Sequence, residues 1–405
     1  MKHSYEDISY AEELFAKFYD VGSCANGGVT RLGYTAVEDE MHDIFMKIGK
    51  EEGYDCFSDE VGNSFISNCG KKDGYYLIGS HLDSVIEGGR YDGVAGVMTG
   101  IIILNWMKRD NLNIPVRVGA FRCEESSNFG RATIGSGLIT REAMKHDIAD
   151  AVGKDGKTLG RLFEERGFNI TPPRIRGIKK YLELHIEQGK VLEEFGNDVG
   201  IVTTIAGPRR FNIHLHGMAE HSGATPMNMR CDALCAAAEI ILEIEEIGKE
   251  ESIYQSVATV GVIKNIPNAM NVVPGEVIMG VDIRGVDSGS LDRIENRVKN
   301  ACKKICSKRK ITYFRQKTSD IPPINMNRDM QTKLMEAAQR LKISSRYMMS
   351  GAGHDAMSFA AICDTAMVFI PCYRGISHNK NEFASIESLC DGARVIYEYL
   401  KEENK

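Results

Sequence analysis

The sequence predicts an α/β fold in two parts: a discontinuous α/β domain with a mostly parallel sheet, and an inserted ferredoxin-like α+β domain. Two patterns support this. Short β-prone runs alternate with helical stretches between residues 75 and 205, and the order changes to β-α-β-β-α-β between 207 and 321. A chain of 405 residues, 43% of them apolar, is also long enough to form two separate cores.

The first part of the chain, residues 1–206, contains four runs that read as buried strands. They are "YYLIGS", "VRVGAF", "YLELHI" and "VGIVTTI", and the stretch 94–108 between the first two reads as a helix. Strands that alternate with helices in this way predict a sheet whose two faces are both covered. We expect this part to form the first segment of the α/β domain.

The inserted part, residues 207–321, follows the split βαβ pattern. Its strands are "RRFNIHLHG", "SVATVGVIK", "EVIMGVDIRG" and "ITYFRQKT", and its helices are "CDALCAAAEIILEIEEIGK" and "SLDRIENRVKNACKKICSK". The last part, residues 322–405, contains a helix, the segment "SGAGHDAMSFAAIC", a strand "AMVFIP" and a closing helix. We expect it to rejoin the first sheet, so that the insert forms a lid.

Composition and charge exclude several classes of protein. The net charge is −6 and the sequence has no basic block, so nucleic acid is not an expected partner. The charged N-terminus lacks the apolar region of a signal peptide, and the longest apolar stretch, 94–104, is about half of a membrane span. Eleven cysteines without a Cys-x-x-Cys pair are typical of reduced thiols. We expect a cytoplasmic protein with no membrane partner.

Polar groups first gather in "LIGSHLDSVIEGGRYDGVAG", which overlaps the end of the strand "YYLIGS". His81 and Asp83 lie where this strand leaves the sheet, the usual place for ligands in open α/β folds. Because side chains alternate along an extended segment, the Asp83 carboxylate can accept a hydrogen bond from His81, which fixes the ring nitrogen that faces a metal. Asp92 precedes the predicted helix at Val94, and capping that helix is an alternative role for it.

Three further strands end in acidic, amide or imidazole groups. "VRVGAFRCEESSNFG" carries the adjacent Glu124 and Glu125, which repel each other unless a cation lies near them. "YLELHIEQG" carries His185 and Gln188, and the loop after "AMVFIP" carries His378. A lone histidine is more often a satisfied core or surface group, but four strand ends with such groups predict one shared site.

Eight segments between residues 77 and 384 resemble, in the same order, the hydantoinase/carbamoylase branch of the M20 metallopeptidase-like amidohydrolases. They are "GSHLDSVIEGGRYDGVAG", "EESSNFG", "LHIEQG", "EHSGATPM", "NVVPG", "VDIRG", "SGAGHDAM" and "GISHNKNE". The resemblance implies a dinuclear metal site. Each ion would have three ligands, and Asp92 would bind both ions. The ligands would be His81, Asp92 and His185 for one ion, and Asp92, Glu125 and His378 for the other.

The resemblance also implies roles for residues beside the ligands. Asp83 would orient His81, and Glu124 would be the general base that activates water. Imidazole and carboxylate donors suit zinc, manganese, cobalt or nickel. Peptidases of the wider family carry an acidic ligand where His185 stands, which favours carbamoyl or ureido substrates here.

Substrate contacts are implied in the same way. Gln188 and Asn271 would pair with the ureido group, and Arg284 would bind the substrate carboxylate through its planar guanidinium. The alternative for Arg284 is an ion pair with Asp282 or Asp287. Gly353 and His354 would reach the rim of the site, although a glycine before a helix is also typical of a tight turn.

Histidines of the insert complete the implied site. His221 would donate to the oxyanion, and in this family it reaches the active site of the neighbouring subunit, which implies a homodimer through the lid domain. His216 lies nearby, and a structural role is the alternative for it. Two positions depart from the family pattern: Lys380 replaces a proline, so we expect a less rigid loop, and Glu220 replaces a common glycine, which places a charge beside His221.

The function implied by the resemblance is hydrolysis of the ureido C–N bond of a small N-carbamoyl-L-amino acid, which releases the amino acid, carbon dioxide and ammonia. Allantoate, a second ureido substrate with a carboxylate, is the alternative. A dipeptidase or aminoacylase activity and a scaffold without catalysis also remain open. The scaffold alternative requires loss of a ligand or of the base, and all of these residues are present.

Overall fold

The computed structural model describes residues 4–145 and 147–405 and divides the chain into two compact units. Unit 1 takes in the chain up to Thr203 and again from Asn325 to Lys405, and unit 2 is Thr204–Ile324. The predicted fold class, an α/β domain interrupted by an α+β insert, is confirmed. The roles of lid and dimerisation domain stay predictions.

The first segment of unit 1 begins with two helices that the sequence analysis did not identify. Its elements in chain order are α1 (Tyr5–Tyr19), α2 (Ala36–Glu51), β1 (Asp55–Ser58), β2 (Ser64–Ser67), β3 (Tyr75–His81), α3 (Val94–Arg109), β4 (Val116–Phe121), α4 (Ile134–Thr140), α5 (Leu159–Arg166), β5 (Ile178–Ile186), α6 (Val191–Phe195) and β6 (Val199–Ile205). The predicted strands and the predicted helix at Val94 all lie where the sequence placed them.

Unit 2 is a four-stranded antiparallel sheet with two helices. Its elements are β7 (Gly207–His216), β8 (Glu220–His221), α7 (Ala233–Glu251), β9 (Val257–Ile266), β10 (Val272–Val273), β11 (Glu276–Gly285), α8 (Ser288–Arg309) and β12 (Thr312–Asp320). The strand order is β12-β7-β11-β9, the ferredoxin-like arrangement. Alternate residues such as Phe211, Ile213 and Leu215 of β7 are buried in one core with α7 and α8, as the period of two along a strand requires.

The chain then returns to unit 1 and completes its sheet. The remaining elements are β13 (Ile324–Asn325), α9 (Arg328–Arg340), β14 (Ser345–Ser350), α10 (Ala356–Ala360), β15 (Asp364–Ile370) and α11 (Ile386–Glu403). The sheet order is β1-β2-β4-β3-β5-β15-β6-β13, and β14 pairs with β6. The central strands β4, β3, β5 and β15 are parallel, whereas β1, β2 and β6 pair antiparallel.

Burial explains why the central strands were easy to identify. Every residue of β3 and β4 is buried, including the polar Ser80, His81 and Arg117, as expected for parallel strands inside a covered sheet. Helix α3 lies between this sheet and the helices α1 and α11, and it is therefore apolar almost all round.

In the described chain, the cysteines form no disulfide bonds. All eleven cysteines are free. Among the residues that the structure describes, no helix is long and apolar enough to cross a membrane.

Candidate active site

The carboxyl ends of the four parallel strands meet at one edge of the sheet in unit 1 and bring the predicted ligands together. His81 ends β3, His185 lies near the end of β5, and the loops after β4 and β15 carry Glu125 and His378. Two groups of three side chains result, His81–Asp92–His185 and Asp92–Glu125–His378, and within each group the candidate ligand atoms lie within 4.8 Å of one another.

The first group is buried, and its two histidines face the same oxygen of Asp92. The Nε2 atoms of His81 and His185 lie 3.3 Å and 3.0 Å from Asp92 Oδ1. Each Nδ1 faces a backbone carbonyl, that of Asp83 at 3.2 Å from His81 and that of Ile186 at 3.0 Å from His185, so each Nδ1 carries the proton. The Nε2 atom of each ring therefore points at the Asp92 carboxylate. Burial lowers the pKa of both imidazoles, but the nearby carboxylates outweigh that effect and raise it.

The second group uses the other oxygen of the same carboxylate. His378 Nε2 lies 3.1 Å from Glu125 Oε1 and 3.4 Å from Asp92 Oδ2. Hydrogen bonds to Asp92 and Glu125 raise the pKa of His378 to about 11. The side chain of His378 is 47% exposed, so this group is the more open of the two.

The donor set fits a pair of divalent cations. Imidazole nitrogens that lie 3.0–3.4 Å from carboxylate oxygens need a positive charge between them, which either a ring proton or a metal ion supplies. Two ligands of one tetrahedral ion with bonds of about 2.0–2.1 Å lie roughly 3.3–3.4 Å apart, close to the separations within both groups. Burial alone would raise the pKa of Asp92, but the surrounding imidazoles of His185, His378 and His81 hold that pKa well below its usual range.

Asp92 does not take the alternative role of capping α3. The N-cap residue is Gly93, and no side chain caps the helix there. Gly93 has φ of +68°, and a Cβ atom built at this position would lie 2.5 Å from the His81 ring, so the turn requires glycine. This turn directs the Asp92 carboxylate to the imidazoles instead of the helix end.

Glu382 and Ser377 hold this turn from the other side, and the sequence analysis assigned neither a role. Glu382 Oε1 accepts the N–H groups of Tyr91 and Asp92 at 2.9 Å and 3.0 Å. The Ser377 hydroxyl lies 3.0 Å from both Asp92 Oδ2 and Glu382 Oε2. Both residues belong to the quoted segment "GISHNKNE", so the segment itself was the sign that could have identified them.

Asp83 contacts both His81 and the loop with the two glutamates. Its Oδ1 lies 3.3 Å from His81 Nδ1, and its two oxygens accept the N–H groups of Glu124 and Glu125, each at 3.0 Å. Glu124 lies with its Oε2 3.8 Å from His81 Nε2. Burial raises the pKa of Glu124 well above its usual range, and the charge of Glu125 raises it further, against the opposing effect of His81.

The predicted substrate residues of unit 1 differ in their placement. Gln188 donates from Nε2 to Asp92 Oδ2 at 2.8 Å, and its Oε1 is buried without a hydrogen-bond partner. Gly353 is exposed, as a rim residue should be. His354 does not lie on the rim, because its side chain is buried, with 2% exposed. Inside the unit its ring packs against the His185 ring, with centroids 4.5 Å apart, and its Nε2 atom lies 2.8 Å from Ser350 Oγ.

In unit 2, His221 lies in the small ladder of β8 and β10, and Asn271 directly precedes β10, where its carbonyl accepts the Ser222 N–H group at 3.0 Å. His221 pairs with Val272, and both His221 and Asn271 are exposed. His221 Nδ1 accepts the N–H groups of Gly223 and Ala224 at 3.1 Å and 3.2 Å. Because backbone N–H groups only donate, the ring proton must be on Nε2, which can donate outward.

Other predicted residues of unit 2 have partners inside the unit. Arg284 Nη2 lies 3.1 Å from Asp282 Oδ2, the ion pair that the sequence left open as an alternative. His216 stacks near Phe314, with ring centroids 5.8 Å apart. Glu220 pairs with Val273 in the β8–β10 ladder.

Comparison with known proteins identifies the family. Residues 77–402 match the family described as Peptidase family M20/M25/M40. The chain belongs to this family. Its solved relatives in the M20 family include an amidase of the hydantoinase/carbamoylase family from Burkholderia multivorans, which has 30% identity and a TM-score of 0.89 over 97% of each chain.

Two relatives named for their activity indicate which branch of the M20 family the chain resembles. The N-carbamoyl-L-amino-acid amidohydrolase of Pseudomonas sp. (strain NS671) is 33% identical over 94% of each chain. The allantoate amidohydrolase of Escherichia coli (strain K12) is 34% identical over 95% of each chain. These similarities confirm the resemblance noted from the sequence, and this M20 member is a metal-dependent amidohydrolase acting on C–N bonds.

Proposed function

We propose that this amidohydrolase cleaves the ureido C–N bond of N-carbamoyl-L-amino acids and releases the amino acid, carbon dioxide and ammonia. The observation that carries the proposal is the arrangement around Asp92, which faces three imidazoles and has Glu124 close to the same cluster. The name of the Pseudomonas relative supports this choice of substrate.

The proposal assigns two divalent ions to the site. His81, Asp92 and His185 would hold one, and Asp92, Glu125 and His378 the other. Zinc, manganese, cobalt and nickel all suit nitrogen and oxygen donors of this kind. When bound, a pair of such ions makes water more acidic and polarises the carbonyl of the substrate.

Glu124 is the proposed proton carrier. Its carboxylate takes a proton from the attacking water, whose oxygen forms a bond to the ureido carbon, and gives that proton to the departing nitrogen as the C–N bond breaks. Ammonia and an N-carboxy amino acid result, and the latter loses carbon dioxide to leave the free amine. Asp83 keeps Glu124 in place through the backbone N–H group that it accepts.

Substrate recognition uses groups that match a ureido acid. The Gln188 Oε1 atom is a buried acceptor without a partner, which fits an N–H donor of the ureido group. We assign to His221 Nε2 the donor to the oxyanion, to Asn271 a contact with the ureido group and to Arg284 the substrate carboxylate. Arg284 would exchange Asp282 for that carboxylate.

We also propose that unit 2 serves as the lid and as the dimerisation domain. Its edge strand β9 exposes Val262, Ile263 and Ile266, and α7 exposes Leu242. An edge strand with exposed apolar side chains is a template for pairing with a second chain. A second copy of this chain is the proposed partner.

The test is ammonia release by protein that is stripped with a chelator and refilled with manganese, cobalt, nickel or zinc. The substrates are N-carbamoyl-methionine, N-carbamoyl-alanine, N-carbamoyl-β-alanine and allantoate, with N-acetylmethionine as the control without a ureido group. Metal-dependent ammonia from the N-carbamoyl-L-amino acids is the expected result. Ammonia from allantoate alone, or product only from N-acetylmethionine, would overturn the proposed substrate.

A further inference from the structure

The loop with the two glutamates is held on two sides: its carbonyls at residues 122–124 accept backbone N–H groups of residues 133–135, and its own N–H groups donate to side chains. Four consecutive backbone N–H groups after β4 each donate to a side-chain oxygen. Arg122 donates to Asn63 at 2.9 Å, Cys123 to Glu38 at 2.8 Å, and the next two both donate to Asp83. Cys123 also has φ of +52°, a conformation that non-glycine residues avoid.

Glu38 is the least expected of these acceptors. It lies in the first turn of α2, far in sequence from every segment that carries the family resemblance, and its side chain is 0% exposed. One oxygen accepts the Cys123 N–H group, and the other accepts the N–H of Tyr34 at 2.6 Å and lies 2.9 Å from Arg122 Nη1. A helix-terminal charge alone needs neither burial nor a contact with this loop.

We propose that Glu38 is a positioning residue of the active site, which fixes the backbone that carries Glu124 and Glu125. The claim goes beyond the proposed function and rests on it only for the activity readout. Glu38 acts through Cys123, whose strained backbone keeps its conformation because neighbouring groups hold it.

An isosteric amide cannot replace this carboxylate. Glutamine at position 38 offers one acceptor oxygen, and its NH₂ group would face either the Cys123 N–H or the Tyr34 and Arg122 donors. One buried donor would lose its partner in either orientation, and the loop would shift. Shifts of about 1 Å in a catalytic group cost about 10²-fold in rate.

Asp39 provides a matched control. It neighbours Glu38 on α2, and it pairs with Arg122 at 2.7 Å and with Arg166 at 2.9 Å. Its side chain is 37% exposed, and within the described part of the chain its carboxylate bonds to Arg122 and Arg166 and not to the backbone of residues 123–125. Asp39→Asn therefore weakens the same arginine contact without touching the loop.

The experiment compares Glu38→Gln, Asp39→Asn and the unmodified protein. We expect kcat of Glu38→Gln to fall about 10²-fold with little change in KM, and affinity for one of two bound Mn²⁺ ions to fall about 10- to 100-fold. Asp39→Asn should keep both values. Since Glu38 touches none of His81, Asp92 and His185, the second ion should be retained.

Equal kcat and equal Mn²⁺ binding in the two variants would overturn the proposal. If the unmodified protein hydrolyses no ureido substrate, the proposed function fails, whereas the Mn²⁺ measurement still decides the role of Glu38. If Glu38→Gln does not fold, Glu38→Asp replaces it, because aspartate keeps the carboxylate but is one methylene shorter and so withdraws its oxygens from Cys123. A Glu38→Asp variant with unchanged kcat and Mn²⁺ binding would equally overturn the claim.

Discussion

Replacement of Glu382 tests how the turn at Asp92 is held. Glu382 is 6% exposed, and its Oε1 accepts the N–H groups of Tyr91 and Asp92. Hydrogen bonds to a charged group contribute about 1.5–3 kcal/mol each, so Glu382→Ala should lower the free energy of unfolding by about 3–6 kcal/mol. Glu382→Gln keeps an acceptor oxygen for both N–H groups and should lose about 2 kcal/mol.

The assay is urea unfolding at about pH 9, because burial raises the pKa of Glu382 to about 7 and the carboxylate must be charged; the Mn²⁺ content is measured separately on the folded protein. Glu387→Ala, an exposed glutamate in the next helix, is the control, with an expected change below about 0.5 kcal/mol. The reasoning is refuted if Glu382→Ala behaves like this control, or if the alanine and glutamine variants lose equal stability.

Four further variants probe the same cluster. His378→Ala should lose one of the two bound metal ions, whereas Asp92→Asn should weaken the binding of both ions. Metal analysis after dialysis measures this, and equal metal loss in the two variants would contradict two separate ligand groups. Gly93→Ala should destabilise the protein by more than Gly53→Ala, measured by urea unfolding, because both have positive φ but only the first Cβ would strike His81. Gln188→Ala should raise KM about tenfold with metals retained, measured by steady-state ammonia release; an unchanged KM would remove Gln188 from the substrate site.

The central strands and the insert were predictable because their sequence patterns have a direct physical cause. A parallel strand that is buried on both faces is mostly apolar, and β3, β4 and the last six residues of β5 are buried runs of this kind. Carboxyl ends of neighbouring parallel strands meet, so the polar residues that follow them had to converge. The order of elements in unit 2 was predictable for a similar reason. Buried and partly exposed residues alternate along its strand β11, and its helix α7 is amphipathic.

Contacts between distant parts of the chain were not predictable in this way. Nothing local indicates that Glu38 reaches Cys123, and the segment that contains Glu382 does not show which residue Glu382 contacts, because both pairs form only when the sheet assembles. The antiparallel flank formed by β1 and β2 carries no crossover helix and no apolar run that would mark it. The burial of His354 depends on packing against His185 and Phe369, which the sequence does not record.

The most direct test of the account measures ammonia and amino acid together, with fully metal-loaded wild type and Glu124→Gln on the same N-carbamoyl-L-amino acid. We predict equal molar amounts of both products from the wild type. The Glu124→Gln variant should bind the same amount of metal but turn over about 10²- to 10⁴-fold more slowly. Near-normal turnover by metal-loaded Glu124→Gln, or no ammonia from the metal-loaded wild type, would contradict the account.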